Sequence, residues 1–314
     1  MALKALKIVF MGTPEFAVPT LEALHASCHE IGLVITQPDR PKGRGRVLMA
    51  PPVKMAAQRL RYPVEQPQKI ADTDVVKTIA GHEPDALVVA AYGKIIPQNL
   101  LDLPALGAVN VHPSLLPKYR GPAPIPWALI EGDSETGVTI IKLNAQMDAG
   151  DILMQKETPI EPADTATSLH DRLAKMGAAM LVETLDGLAD GTITPRLQDH
   201  NRATLAPMLK KSDGRLDWQL NAHALERRIR ALNPWPGTFT FYGKTRIKVL
   251  SVGVIDKACD AAPGTVLPGF DDELRVATGD GVLVLKIVQG ASGKQMPMGD
   301  YLRGHAMPPG TRFE

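Results

Sequence analysis

The sequence predicts an α/β protein in which a mostly parallel sheet, covered on both faces, is followed by a small β-barrel. Three observations carry this. Through residues 6–143, short apolar runs without polar alternation are separated by segments of helical spacing, the pattern of parallel strands buried on both sides. Beyond about residue 206, five short strand-like runs follow one another with turn residues between them. The charge also divides there, residues 1–206 carrying net −3 and residues 207–314 net +4.

Taken in order, Leu6 to Met11 reads as a strand ended by Gly12-Thr13-Pro14, and Glu15 to Ala26 follows at helical spacing. Ile31 to Thr36 reads as a second strand, Gln37 to Ala50 as a polar loop, and Pro51 to about Arg61 as a helix. Ala86 to Ala91, Ala108 to His112 and Val138 to Leu143 supply three further strands. Thr165 to Asp190, with Leu169, Leu173, Met176, Met180, Leu181, Leu185 and Leu188 near helical spacing, reads as one long helix or a helix pair. A helix at Ala222–Leu232 precedes Asn233-Pro234-Trp235-Pro236-Gly237. The strands at Thr238–Tyr242, Arg246–Val254, Gly264–Leu267, Leu274–Thr278 and Val282–Val288 then suit a barrel of OB type. The expected organisation is a catalytic domain over 1–190, a linker over 191–206 and a small domain over 207–314.

Composition excludes several classes. With 314 residues, 44% hydrophobic and 22% charged, the chain has material for a core, and its 27 Gly and 27 Pro follow no period and build no repeat. Cys28 and Cys259 lie far apart without a CxxC or Cys/His cluster, so neither a disulfide framework nor a metal is implied, and a reducing cytoplasm is expected. The run Ile8–Met11 is too short for a signal segment, and no stretch approaches a membrane span. The overall charge of +1 gives no sign of a polyanionic partner until it is divided at residue 206.

No GxGxxG or P-loop pattern follows the first strand. Ligands of such sheets nevertheless sit beyond the carboxyl ends of the strands. The segment Val109-Asn110-Val111-His112-Pro113-Ser114-Leu115-Leu116-Pro117 leaves a strand there, and alternation projects Asn110 and His112 to one side. Two readings stand open: a hydrogen-bonded strand-end pair, or an amide donor and an imidazole held for chemistry. Asp148, in Gln146-Met147-Asp148-Ala149-Gly150-Asp151, is either a turn former or a third member at the same rim. Together the three suit acyl-type transfer, with Asn110 donating to an oxyanion and Asp148 orienting His112. Ser114 lacks a nucleophile-elbow context, which leaves a substrate amine as the nucleophile. Arg40, Lys42, Arg44 and Arg46 fall within seven residues beside two glycines, either a solvated loop or a phosphate-contacting one. Lys210, Lys211 and the cluster Arg227-Arg228-Arg230 extend the same theme, the latter equally well a helix face.

At these segments the sequence resembles the methionyl-tRNA formyltransferase family. The resemblance lies in FMGTPEF (10–16), TQPDRPKGRGRVLMAPPVK (36–54), AAYG (90–93), NVHPSLLP (110–117, from Asn110), YRGPAPI (119–125), EGDSETGVTIIKLNAQMDAGD (131–151) and NPWPG (233–237). It implies a Rossmann-like formyltransferase domain, an OB-like C-terminal domain and 10-formyltetrahydrofolate as formyl donor, with no metal. By residue match Asn110, His112 and Asp148 take the catalytic positions. Ser114, Leu115, Leu116 and Pro117, with Ala91, Tyr92 and Gly93, fall on the folate-binding segments. Arg40, Lys42, Arg44 and Arg46, with Lys210 and Lys211, are expected to contact the tRNA. The implied acceptor is the methionyl α-amine of initiator tRNA, and the implied state is a monomer. Two departures from the pattern are Pro113, where some relatives have Gly or Ala, and Pro126, where Gln is expected. An amino sugar nucleotide is the alternative acceptor, disfavoured because a basic loop and a positive barrel would serve it little.

Overall fold

The computed structural model describes residues 4–42, 47–291 and 293–314, the side chain of Lys42 excepted. They form two compact units, one of residues up to Pro124 with Glu135–Pro159 and His170–Ala206, the other of Ile125–Ser134, Ile160–Leu169 and Pro207–Glu314.

In the first unit, β1 (Lys7–Gly12) leads through a short 3-10 turn at Glu15–Ala17 into α1 (Val18–His25). Gly12 is required at this crossing, because a Cβ there would lie 2.8 Å from the Ala17 Cβ and 3.1 Å from the Ala90 carbonyl oxygen. The chain continues through β2 (Glu30–Ile35), β3 (Arg40–Lys42), β4 (Val47–Met49), α2 (Pro52–Arg59), β5 (Val64–Glu65), α3 (Thr73–Gly81), β6 (Ala86–Ala90), α4 (Gln98–Leu101) and β7 (Ala108–His112). After α5 (Pro124–Glu131) come β8 (Glu135–Lys142), β9 (Ile152–Pro159) and α6 (Ala166–Ala189). The seven-stranded sheet has the order β5-β2-β1-β6-β7-β8-β9. Five strands run parallel, whereas β8 and β9 are antiparallel to their neighbours. One face of the parallel part buries Val9, Met11, Leu33, Ile35, Leu87 and Val89 with Ile79 of α3 and Leu100 of α4.

The fold adds strands that the sequence reading left out. The stretch Gln37–Ala50 is not all loop: β3 and β4 pair antiparallel, Arg40 opposite Met49 and Lys42 opposite Val47. β9 escaped because it is an edge strand whose outer half, Lys156–Pro159, is largely exposed and lacks an apolar run. Of the two readings open for Thr165–Asp190, the fold builds the single helix, Ala166–Ala189. Residues 191–206 run back along the first unit: Arg196 and Ile152 exchange backbone bonds of 2.9 and 2.8 Å, and Arg120 exchanges bonds with Thr204 and Ala206.

The second unit contains α7 (Ala222–Leu232), whose start is capped by the Asn221 side chain accepting from the Ala224 N–H at 2.7 Å. Five strands follow, β10 (Phe239–Tyr242), β11 (Thr245–Ile255), β12 (Val266–Leu267), β13 (Leu274–Ala277) and β14 (Val282–Gln289), then β15 (Gln295–Pro297) and α8 (Met298–Leu302). All pairings are antiparallel, in the order β10-β11-β14-β13-β12 with β15 on β14, and the sheet curls as a half-barrel. Its core joins Leu225 and Ile229 of α7 to Ile247, Val249, Val276, Leu283, Leu285 and Val288. Arg230 is tied to Glu226 at 2.5 Å and to the Asp164 carbonyl at 2.6 Å, and Arg227 donates to the Ile130 carbonyl at 3.3 Å. Two cations of that cluster are thereby committed within the fold. No helix among the described residues is long and apolar enough to cross a membrane.

Candidate active site

The carboxyl end of β7 carries two polar side chains into a region where its neighbours are apolar. Asn110 sits opposite Ile141 and beside Val89, and His112 sits opposite Thr139. Both are buried. Asn110 makes no side-chain hydrogen bond among the described residues, so its amide is a donor without a committed acceptor.

The imidazole of His112 is fixed from one side, its Nε2 lying 2.9 Å from the Tyr119 carbonyl oxygen. Facing a carbonyl, that nitrogen carries the proton. The other nitrogen, Nδ1, lies 3.7 Å from Asp148 Oδ2. A proton arriving at Nδ1 thus meets a carboxylate. The same carboxylate oxygen accepts the Gly121 N–H at 2.8 Å. Asp148 stands at φ +51, a left-handed conformation that Asp and Asn tolerate better than other side chains. Gly150 follows where only glycine fits, because a Cβ would lie 1.7 Å from the Lys142 carbonyl oxygen.

The loop after β7 is pinned by residues that no local pattern marks. Thr139 Oγ1 donates to the Ser114 carbonyl at 2.6 Å and accepts from the Leu116 N–H at 3.1 Å. Gln155 on β9 donates to the Leu116 carbonyl at 2.9 Å. Ser114 Oγ donates to the Lys118 carbonyl at 2.6 Å, Leu116 is buried, and the Leu116–Pro117 bond is cis. The loop after β6 turns through Ala91 at φ +45 and Gly93 at φ +81. Between them the Tyr92 carbonyl accepts from Thr13 Oγ1 at 3.0 Å and Gln37 Nε2 at 3.2 Å. The Tyr92 ring is buried, its hydroxyl has no partner among the described residues, and burial pushes that hydroxyl up to about 12.

At the hairpin, Arg40 donates to Gln37 Oε1 at 3.2 Å. Lys54 and Gln66 hold the Asp39 carboxylate, at 2.8 and 2.7 Å, and these bonds lower its pKa below the ordinary value. The side chain of Lys42, and Arg44 and Arg46, lie outside the described residues. Lys210 and Lys211 are exposed on the second unit.

One group of metal-type donors converges among the described residues: Cys28, His29 and Asp186. Local spacing carries no sign of it, because Asp186 is 158 positions from Cys28. His29 Nδ1 accepts the Leu6 N–H at 3.3 Å, which puts the proton of the neutral ring on Nε2, 3.4 Å from Asp186 Oδ1. Burial lowers the His29 pKa, with the Asp186 carboxylate opposing.

Comparison with known proteins decides the family. The family described as "Formyl transferase" matches residues 6–185, and "Formyl transferase, C-terminal domain" matches residues 208–306. A protein named methionyl-tRNA formyltransferase from Roseiflexus castenholzii is 48% identical over 98% of this chain and 99% of its own length. The chain belongs to the methionyl-tRNA formyltransferase family. Another methionyl-tRNA formyltransferase, from Desulfotalea psychrophila, is 47% identical over 96% of this chain and 93% of its own length. Among solved structures, a variant of HypX from Aquifex aeolicus superposes with a TM-score of 0.64 at 19% identity over 98% of this chain, which spans about half (49%) of that protein. An N-formyltransferase from Helicobacter canadensis, in complex with folinic acid and dTDP-3-aminofucose, gives a TM-score of 0.65 at 16% identity, covering 89% of this chain and 98% of its own. Both likenesses concern the fold.

Proposed function

We propose that this chain transfers the formyl group of 10-formyltetrahydrofolate to the free α-amine of methionine on initiator methionyl-tRNA. The supporting observation is the convergence of Asn110, His112 and Asp148 at one sheet rim, in a chain whose relatives of that name match it end to end. The amine nitrogen attacks the formyl carbon, the carbonyl electron pair moves to oxygen, and collapse expels the folate nitrogen. Asn110 donates to the oxyanion, as does protonated His112. Asp148 orients His112 and takes part in moving the amine proton, which ends on the departing folate nitrogen. Ser114–Pro117 and Ala91–Gly93 form the folate-binding loops of this reading. Arg40, Lys42, Arg44, Arg46, Lys210 and Lys211 meet the tRNA. Residues 1–190 are the catalytic domain, 191–206 the connection and 207–314 the tRNA-binding domain of a cytoplasmic monomer.

The test is His112→Ala assayed for formylation of charged initiator tRNA. Turnover is expected to fall by roughly 10²-fold or more. Near-normal turnover would overturn the assignment.

A further inference from the structure

Asp148 is held by its backbone rather than only by its carboxylate, and one side chain does most of the holding. Gln198 is buried, and its Nε2 donates to the Asp148 carbonyl at 2.8 Å and to the Gly150 carbonyl at 2.7 Å. Its Oε1 accepts from Arg120 Nε at 3.1 Å and from Arg120 Nη2 at 2.6 Å. The amide can face only one way, since the flipped amide would set its oxygen against two carbonyls and its NH2 against a guanidinium. Arg120 is in turn held by His200 Nδ1, 3.0 Å from Nη2, and it adjoins Gly121, whose N–H binds the Asp148 carboxylate. A single amide therefore fixes both sides of that contact: the main chain carrying Asp148 and the segment supplying its N–H partner. Asp148 needs such support, because a left-handed non-glycine residue persists only where its surroundings over-determine it.

We infer that Gln198 is the positioning residue for Asp148, setting the carboxylate against His112 Nδ1 through paired bonds to the Asp148 and Gly150 carbonyls. This rests on the catalytic reading of Asp148 proposed above. Gln198 touches no reacting atom. Its loss displaces the carboxylate, and a displacement of about 1 Å at a reacting group costs up to about 10²-fold in rate.

The experiment is a double-mutant cycle on the full chain by steady-state kinetics, with 10-formyltetrahydrofolate and charged initiator tRNA. It compares Gln198→Met, Gln198→Glu, Asp148→Asn and each Gln198 variant combined with Asp148→Asn. Glu at 198 keeps an oxygen for Arg120 and loses the donors to the two carbonyls, so it separates positioning from burial should the Met variant fail to fold. Each Gln198 variant alone is expected to lower kcat about 10- to 100-fold, with KM for both substrates within about threefold. In the Asp148→Asn background the same substitution is expected to lower kcat less than about twofold further, because residues acting through one another are non-additive. Full additivity, or an effect confined to KM, overturns the inference. Near-normal activity of Asp148→Asn alone would instead overturn the catalytic reading, so the two failures are told apart.

Discussion

Replacing Asn110 with Ala should separate catalysis from stability. The amide sits buried on β7, two residues before His112, and has no hydrogen-bond partner among the described residues. Truncation therefore orphans no donor or acceptor among the described residues. The stability change is expected within about 1 kcal/mol, and for a unit of 150–250 residues that is a Tm shift of about 2–4 °C. The loss of one oxyanion donor is expected to cost about 10²–10³-fold in kcat, or about 2.7–4 kcal/mol. Rates are read by single-turnover formylation at saturating folate, and stability by thermal unfolding of the same preparation. A variant within about threefold of the parent rate, less than about 0.7 kcal/mol of barrier, would refute the oxyanion role. A Tm loss above about 8 °C would instead mark Asn110 as a structural residue.

Tyr92 gives a prediction on pH. Its hydroxyl is buried without a partner among the described residues and its pKa is raised to about 12, so the folded state holds that proton where the unfolded chain, near 10, releases it. This contribution is fully present below pH 10 and is lost as pH rises towards 12. Tyr92→Phe is expected to be as stable as the parent or more so at pH 7, and to lose less stability between pH 10 and 12 in denaturant titrations; an identical alkaline loss would contradict the burial argument. At the basic hairpin, the double variant Lys42→Ala/Arg44→Ala is expected to weaken tRNA binding and lower the slope of log K against log salt by about 1–2, leaving kcat at saturating tRNA nearly unchanged. An unchanged slope would remove that loop from the interface.

Much of the catalytic sheet was legible because its signals are local. Val88-Val89 and Val109-Asn110-Val111-His112 announce buried strands, and polar residues at alternate positions of the latter mark an exception to an apolar core. For Asp148 a turn former and a third member at the same rim both stood open in the sequence. Its geometry depends on Gly121, 27 positions earlier, and Gln198, 50 positions later. Neither has a periodic or capping signature. Thr139 and Gln155 were equally silent, because a single threonine in a β-branched strand and a glutamine on an edge strand are ordinary until the fold brings them to the Ser114–Leu116 loop. The hairpin of β3 and β4 was hidden because its pairing residues are charged, prolyl or exposed, with Val47 and Leu48 about two-thirds accessible. In the second unit β10, β11, β13 and β14 could be read directly, since each is an apolar or alternating run bounded by turn residues, whereas β15, Gln295–Pro297, is three residues without such a run.

The most direct measurement presents the purified chain with 10-formyltetrahydrofolate and two acceptors in parallel, charged initiator methionyl-tRNA and an amino sugar nucleotide, and identifies the formylated product by mass. The account predicts formyl-methionyl-tRNA, formed only where the methionyl α-amine is free, and no formylated sugar. Formyl transfer to the sugar alone would contradict it.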